Sequence, residues 1–530
     1  MLKVDSTDKA KLIDPLFRTS PLFRASVLAL LVVIGWGVFM YARQIILGLG
    51  ETGMDRPTYW GVYMVNFIFF IGISHAGTLI SAILRVTGAE WRRPITRVAE
   101  AITVFALVVG TLQIIIDMGR PDRLWFVLRY GRLQSPILWD VVSVTLYFLG
   151  SVTYLYLPLI PDLAIVRDNA PITAPSWQKR LYSFLALGWR GNREQWRRLE
   201  KAIAAMAVFI IPVAVSVHTI ISWILATTVQ PGWHSSIFGP YFVVGAIFSG
   251  IGALFLAMTA VRRALGLEEY ITLRQYRNLG LLFIVMNFIW FYFTYAENLG
   301  IAAAQQIEEF VVLASKLWGS FAATFWAMII AMVAALWILV VPKVLGAVSW
   351  SRRLARPEIT VASAAGAVAT FLLLVSPPIS WLEPLYATAA LSDPVSRTVA
   401  WALLIVFAMG VGLGTAPWLK EHPVASSVFA AILVVIGMWL ERWNIIVPTM
   451  THPRLIAFSS YLPTMTEFSL TAASIALFLL LFLLFFKLFP AVSLWEIAEG
   501  RLVEEAHSKV SVPEPEPSQE KRGLRWVQRE

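Results

Sequence analysis

The chain has no cysteine, and charged residues account for only 14% of its 530 residues. The absence of cysteine excludes disulfides, thiolate-held iron–sulfur clusters and C-x-x-C-H haem attachment within this chain. A soluble domain typically carries about 25% charged residues, so this chain has too few of them to form the polar surface of a soluble enzyme. Its hydrophobic content of 58% excludes a disordered protein as well. Walker motifs and zinc-ligand spacings are also absent, so we expect no metal site.

Twelve apolar runs are long enough to cross a bilayer as helices, which takes about 17–25 residues each. They lie near residues 25–47, 60–84, 98–119, 137–160, 202–228, 240–261, 279–299, 318–341, 359–376, 398–418, 424–446 and 467–489. This pattern predicts an all-α, polytopic membrane protein with about 10–12 spans.

The distribution of Lys and Arg predicts the orientation of these spans. With the N-terminus inside and the spans alternating, 33 of the 43 Lys and Arg fall on inner segments and 10 on outer segments. This bias follows the positive-inside rule, so we expect both termini to be cytoplasmic, in a bacterial plasma membrane. The net charge of +10 therefore indicates the lipid bilayer as the partner, and we expect no nucleic acid.

The chain divides into seven predicted segments. They are a cytoplasmic N-terminal segment at 1–24, spans one to four at 25–160, a cytoplasmic interfacial loop at 161–201, spans five to eight at 202–341, a pair of spans at 342–423, the last two spans at 424–490 and a partly disordered cytoplasmic tail at 491–530. In the interfacial loop basic and aromatic residues alternate, as is typical of a helix lying on anionic lipid.

Ionisable residues within the spans are the strongest functional signal, because each costs about 2.5–3.5 kcal/mol to insert. At 1.5 Å per residue, His75 lies roughly 22 Å into span two, and His218 lies about 24 Å along span five, in its outer half. The others lie near the outer ends of their spans; they are Asp117, Asp140, Glu297, Glu441 and Arg442. Spans two to five are consecutive antiparallel helices that can form one four-helix bundle, so two His and two Asp could share an outer cavity.

Each of these residues also has a purely structural interpretation. A histidine inside a span can form a helix–helix hydrogen bond. Asp117 and Arg120 are spaced i, i+3 and could pair with each other, and Asp140 could cap the start of span four. Glu441 and Arg442 are adjacent and should not face each other on a helix, so we expect at least one to have a partner elsewhere.

Buried histidine and desolvated carboxylates together form a set of proton acceptors. Oxidation of a quinol releases two protons and two electrons, so a histidine can bind one hydroxyl and an aspartate can take a proton. His75, Asp117 and Asp140 are the candidate catalytic residues for this reaction. The electrons must leave to a partner, because the chain has no cysteine to hold a cluster.

One outer loop contradicts the positive-inside bias. It carries four arginines, namely Arg120, Arg123, Arg129 and Arg132. They could contact lipid headgroups, or they could form a docking surface. We predict that Arg123, Arg129 and Arg132 help dock an iron–sulfur partner, whereas Arg120 stays with Asp117 or the quinol.

Several sequence blocks together resemble the polysulfide reductase NrfD-like family, and most closely the ActC-type membrane subunits of alternative complex III. The D-x-G-R-P stretch at Asp117–Pro121 is typical of the family. The other blocks are 71–78, 97–101, 135–140, 186–191, 216–219, 231–238 and 437–442. The resemblance covers roughly residues 60–280 and 424–495.

The resemblance implies ten helices in two four-helix bundles, with flanking helices. Our two additional spans, at about 359–418, would then be an inserted pair. It also implies oxidation of a quinol, such as menaquinol, near the periplasmic face. The implied partners are a periplasmic iron–sulfur subunit, a multihaem cytochrome c subunit and a second NrfD-like membrane subunit, with no haem or cluster on this chain.

The resemblance also assigns roles to residues. His75, Asp117, Arg120 and Asp140 fall on the motif positions around the quinol, and His218 is a further quinol-binding candidate. Glu297, Glu441 and Arg442 would belong to a proton route in the second bundle. Trp233 and His234 are additional candidates for partner docking.

Two other functional classes remain open from the residues alone. A membrane haem b protein would use His75 and His218 as its two axial ligands. A secondary transporter is the other alternative, although the sequence shows no pair of broken helices in matching halves.

Overall fold

The computed structural model describes residues 6–344, 357–375 and 394–500. Within these ranges the chain is helical and contains no β-strand. The helices of ten or more residues, numbered in chain order, are α1 Pro21–Leu47, α2 Val62–Val86, α3 Arg93–Asp117, α4 Pro136–Asn169, α5 Ser176–Leu185, α6 Arg193–Ala226, α7 Phe238–Ala264, α8 Leu273–Ala304, α9 Ile307–Leu317, α10 Ala322–Val344, α11 Pro357–Val375, α12 Pro394–Glu421, α13 Pro423–Thr451 and α14 Met465–Leu488.

Eleven helices in the described part of the chain are long and apolar enough to cross a membrane, which confirms the predicted polytopic fold. They are all of the numbered helices except α5, α9 and α11. The ninth predicted span, near residues 359–376, corresponds to α11, which is not among these eleven helices of the described chain. Residues 501–530 of the predicted tail lie outside the described residues.

The first bundle consists of α2, α3, α4 and α6, in which α2 and α4 each pack against both α3 and α6. Small residues let α2 and α3 approach closely. A Cβ added at Gly77 would lie 1.9 Å from the carbonyl oxygen of Ala99, so only glycine fits there. This approach brings the middle of α2, including His75, into the centre of the bundle.

The second bundle consists of α7, α8, α10 and α13, and contact between α2 and α7 joins the two bundles. The side chain of Arg442, on α13, enters this junction. A Cβ at Gly245 would lie 2.7 Å from Nη2 of Arg442, and one at Gly72 would lie 3.8 Å from the same atom. The two glycines therefore leave space for a guanidinium between the bundles.

The remaining long helices lie outside the two bundles. Helices α1 and α14 pair with each other, and α14 also packs on α3. A Cβ at Gly37 would lie 2.2 Å from Cβ of Ala473, which accounts for the close α1–α14 contact. Helices α11 and α12 form the pair that we predict as an insertion, and α12 packs against α10.

The residues after α14 close one end of the first bundle. Trp495 donates its backbone N–H to Oδ1 of Asp162 at 3.1 Å, and Arg97 donates to Oδ2 of the same carboxylate at 2.8 Å. Glu496 pairs with Arg85 and Arg92. The first part of the predicted 491–530 tail is thus packed into the protein.

Candidate functional site

His75 and His218 meet at the centre of the first bundle, where both are completely buried. Nε2 of His75 lies 3.0 Å from Nδ1 of His218, and the ring centroids are 3.9 Å apart. Helix α2 supplies His75 and α6 supplies His218. The structure therefore brings together the two histidines that the sequence places near the midplane and in the outer half.

Both ring nitrogens of His75 also contact backbone carbonyls. Nδ1 lies 2.8 Å from the oxygen of Ile71, and Nε2 lies 2.5 Å from the oxygen of Ala214. A neutral imidazole has only one N–H, so it can donate to one of these carbonyls at a time. Addition of a proton would give each of the two carbonyls its own donor.

His218 has one ring nitrogen that makes no hydrogen bond in the described part of the chain. This atom is Nε2, and it is buried. Tyr147 is the other ring beside the pair, with its centroid 4.9 Å from that of His75, and its hydroxyl donates to the carbonyl of Ser74 at 3.0 Å. Since buried polar atoms are nearly always paired, an unpaired ring nitrogen indicates a place for a hydrogen-bonding group.

The geometry argues against these histidines as axial ligands of one haem. Two axial nitrogens must lie on opposite sides of the iron, roughly 4 Å apart at about 2 Å per metal–imidazole bond. His75 and His218 instead contact each other directly at 3.0 Å. No macrocycle fits between rings in this arrangement.

Asp117 lies at the end of α3, where the local sequence stops the helix. Gly119 has φ +64°, and a Cβ there would lie 2.9 Å from Leu49. Pro121 then prevents the helix from continuing. Oδ1 of Asp117 is buried without a hydrogen-bond partner in the described part of the chain, and the carboxylate of Glu467 lies within electrostatic range.

Neither structural interpretation of the two aspartates is observed. Arg120 is exposed, and Asp117 forms no ion pair with it in the described structure. The N-cap of α4 is Ser135, and Oδ1 of Asp140 is buried without a partner among the described residues. No hydrogen bond links either aspartate to the histidine pair in this part of the chain. The two carboxylates are therefore separate groups, each with one buried oxygen, at the C-terminal end of α3 and near the N-terminal end of α4.

The predicted docking residues fall in two places. Arg123, Arg129 and Arg132 are exposed in the loop before α4, and Arg129 lies over the ring of Trp125 at 5.3 Å. Trp233 is only 2% exposed and donates to the carbonyl of Ile445, so it forms part of the interior rather than of a docking surface. His234 is half-exposed and lies 3.0 Å from Glu309.

Glu441 and Arg442 are both about 1% exposed and contact each other, with Oε2 and Nη1 2.6 Å apart. Our expectation that neighbours in sequence would not face each other is therefore wrong, because both side chains are long enough to bend together. The expectation of a further partner is confirmed: Trp290 donates to Oε1 of Glu441 at 2.7 Å. The guanidinium of Arg442 lies 5.2 Å from the ring of Phe242 and within electrostatic range of both histidines.

Glu297 and Glu441 line one cavity in the second bundle. Its volume is about 40 Å³, which is room for at least one water. Ser235 donates a hydrogen bond to Glu297. Lys316 on α9 also lines the cavity; burial lowers the pKa of Lys316 to about 8, and the nearby Glu297 opposes part of that shift.

Several residues around these sites were not predicted from the sequence. They lie within or beside the apolar runs that we identified, but their roles become visible only from the residues that they contact. These residues are Tyr147, Trp290, Lys316 and Glu467. Glu467 alone carried a usable signal, because it is an ionisable residue at the start of an apolar run.

The sequence matches the family "Polysulphide reductase, NrfD" over residues 50–375. This match covers more than half of the chain, so the protein belongs to the NrfD family. Together with the fold, it defines the chain as a polytopic NrfD-type membrane protein.

Three curated relatives illustrate the family. A protein of Halobacterium salinarum that bears the name of a dimethyl sulfoxide reductase membrane subunit is 32% identical over 43% of this chain and 49% of its own. The "Hdr-like menaquinol oxidoreductase integral membrane subunit" of Archaeoglobus fulgidus is 24% identical over 58% of this chain and 68% of its own. The "Menaquinone reductase, integral membrane subunit" of Nitratidesulfovibrio vulgaris is 27% identical over 27% of this chain and 34% of its own. The chain spans about half the length of the halobacterial relative.

Proposed function

We propose that this chain is the quinol-binding membrane subunit of an oxidoreductase complex, and that it oxidises menaquinol near the outer face of the membrane. The observation that carries this proposal is the buried His75–His218 pair with its unpartnered ring nitrogen. The unpartnered carboxylates of Asp117 and Asp140 support it. Relatives whose names refer to menaquinol and menaquinone support the choice of substrate.

The two histidines can relay the first proton of the quinol. A quinol hydroxyl donates to Nε2 of His218, while Nδ1–H of His218 donates to Nε2 of His75. Transfer along this line leaves His75 doubly protonated, with its two N–H groups facing the carbonyls of Ile71 and Ala214. The carbonyl contacts of His75 thus stabilise the state that forms when the quinol gives up its proton.

The second proton passes to Asp117 or Asp140, at the outer side of the first bundle. Oxidation of one quinol releases two protons and two electrons and leaves the quinone. The electrons pass to a periplasmic iron–sulfur subunit and then to a multihaem cytochrome c subunit, in an assembly of the alternative complex III type with a second NrfD-like subunit. This arrangement places the chain in the plasma membrane with both termini cytoplasmic, as the distribution of Lys and Arg supports.

The cavity of the second bundle can carry protons in the same enzyme. It contains Glu297 and Glu441, and it has room for water between protein groups. Arg442 pairs with Glu441 and reaches toward the histidines, so a change of charge at the histidine pair acts electrostatically on the cavity. We therefore include coupled proton translocation through this cavity in the proposal.

The decisive experiment compares His75→Ala and His218→Ala with His422→Ala, a matched control at an exposed histidine. The rate of menaquinol oxidation is measured in the purified complex, and assembly is checked by co-purification of the iron–sulfur and haem partners. We expect at least a tenfold loss of turnover in the first two variants, with assembly intact, and none in the control.

Two outcomes would contradict the proposal. Unchanged turnover in His75→Ala and His218→Ala would remove the histidine pair from the reaction. A Soret band that belongs to the purified chain itself would favour the haem protein instead.

A further inference from the structure

A broad groove opens at the membrane face where α8 and α13 begin and α10 and α12 end. Its volume is about 760 Å³, within the range of roughly 300–1,000 Å³ that is typical of small-molecule sites. Glu297 and Glu441 lie farther along α8 and α13, about 30 Å from the groove along α8 and about 22 Å from it along α13. It is therefore a separate site from the cavity of the second bundle.

The rim of this groove is basic. Arg274 and Arg277 on α8, Lys343 on α10 and Lys420 on α12 line it, and none of its described lining residues is acidic. Arg274, Arg277 and Lys343 are exposed, and none of these three forms an ion pair within the described parts of the chain. The like charges of Arg274, Arg277 and Lys343 at one opening attract an anionic ligand, which would offset their repulsion.

Part of the wall of the groove is apolar. Leu273, Ile338, Leu339 and Pro342 line it, and a Cβ added at Gly280 would meet no atom within 4 Å. The hydroxyls of Ser426 and Ser427 already donate to backbone carbonyls. The groove therefore offers positive charge at its mouth and hydrocarbon contact along its side, with no unsatisfied polar side chain at those serines.

We propose that this groove binds an anionic phospholipid, with the phosphate of its headgroup between the basic side chains and its acyl chains along the apolar wall. Arginine forks match phosphate oxygens in a bidentate manner, and basic pockets between spans on the cytoplasmic side bind such headgroups. The positive-inside orientation places the groove on that side. The lipid thus connects α12, the helix of the predicted insertion, to α8, α10 and α13 of the second bundle.

The test compares the intact protein with Arg274→Gln/Arg277→Gln and with the matched control Arg18→Gln/Arg24→Gln, whose arginines lie in the N-terminal segment at 1–24. The control removes the same charge from exposed residues of the same predicted membrane face. Each protein is purified in its native complex, incubated with dioleoylphosphatidylglycerol or dioleoylphosphatidylcholine, and analysed by native mass spectrometry. Each basic residue near an anionic lipid surface strengthens association by roughly fivefold, so we expect at least a tenfold loss of bound phosphatidylglycerol in the first variant only.

Three results would overturn the proposal. They are equal binding of the two lipids by the unmodified protein, unchanged phosphatidylglycerol binding in the groove variant, and displacement of the lipid by millimolar inorganic phosphate. The last result would mean that the groove recognises the phosphate group alone.

A second measurement uses the unmodified protein, so that it remains valid even if the variant fails to assemble. A photoactivatable phosphatidylglycerol is cross-linked in reconstituted membranes, and the labelled peptides are mapped. We expect labels within residues 273–280, 338–343 or 419–427; labels confined to other segments would refute the site. Neither measurement depends on quinol turnover, so the lipid site and the proposed function can fail independently.

Discussion

Oε2 of Glu441 lies 2.6 Å from Nη1 of Arg442, although the two residues are neighbours on one helix. Glu441 lines the cavity that also contains Glu297, whereas Arg442 lies beside Gly72 and Gly245 where the two bundles meet. One buried ion pair therefore connects the cavity of the second bundle to the region of the histidine pair. This connection gives a physical route by which protonation at the histidines and at the cavity can be coupled.

The first prediction tests this ion pair. Arg442→Gln leaves Glu441 as an unpaired buried charge, which typically costs about 3–5 kcal/mol. Glu441→Gln/Arg442→Gln removes both charges and keeps an acceptor for the N–H of Trp290. We expect the single variant to have a clearly lower melting temperature than the double variant, measured by thermal denaturation of the purified complex. Equal melting temperatures would mean that the pair is not held as buried charges.

The second prediction concerns Asp117 and Asp140, whose Oδ1 atoms are buried without partners. Asp117→Asn and Asp140→Asn keep the shape of each side chain and remove its basicity. If either carboxylate accepts a quinol proton, that variant should lose at least tenfold in turnover and change the form of its pH–rate profile. Asp122→Asn, at an exposed residue of the same loop, is the control. Loss of assembled protein with a normal rate per assembled complex would instead indicate a structural role.

The third prediction concerns the packing that places His75. A Cβ at Gly77 would lie 1.9 Å from the backbone oxygen of Ala99, whereas one at Gly35 would meet nothing within 4 Å. Gly77→Ala should therefore destabilise the protein by about 1–3 kcal/mol through overpacking, and Gly35→Ala should not. Thermal denaturation of both variants measures the difference. Similar melting temperatures would show that α2 and α3 separate at little cost.

The fourth prediction concerns Lys316, whose pKa burial lowers from 10.5 to about 8. Between about pH 8 and 10.5 the unfolded chain binds this proton and the folded chain does not, so stability should rise with pH across that window. Lys316→Met removes the group and should flatten this part of the profile. Melting temperatures of both proteins from pH 7 to 10.5 provide the measurement, and parallel profiles would contradict the shifted pKa.

The sequence was sufficient for eleven of the twelve predicted spans within the described residues, because hydropathy and length determine them. It was not sufficient to predict which residues form hydrogen bonds with the site residues. Trp290 lies about 150 residues from Glu441 along the chain, and no periodicity encodes such a distant pairing. The rule that the side chains of adjacent helical residues point in different directions failed at Glu441 and Arg442. The rule describes side chains on an exposed helix surface, whereas these two long side chains are confined in a bundle.

The fifth prediction concerns the outer arginine loop. Arg123, Arg129 and Arg132 are exposed and form no ion pair in the described structure, and Arg129 stacks over Trp125. Exposed aromatic and basic side chains together are typical of the anchors of protein interfaces. The loop directly follows Asp117, so a partner docked there would be close to the proposed site of quinol oxidation. This proximity matters because, in the proposed function, the electrons pass from the quinol to that partner.

Reversal of two of these charges, as in Arg123→Glu/Arg129→Glu, should release the iron–sulfur subunit at moderate salt, because surface ion pairs are screened. Arg56→Glu, at an exposed arginine on the same predicted face, is the control and should keep the complex together. Co-purification of the partner at increasing salt concentrations measures the effect. If the complex with the reversed charges survives at high ionic strength, the loop does not dock the partner, and contact with lipid headgroups becomes the better explanation of its four arginines.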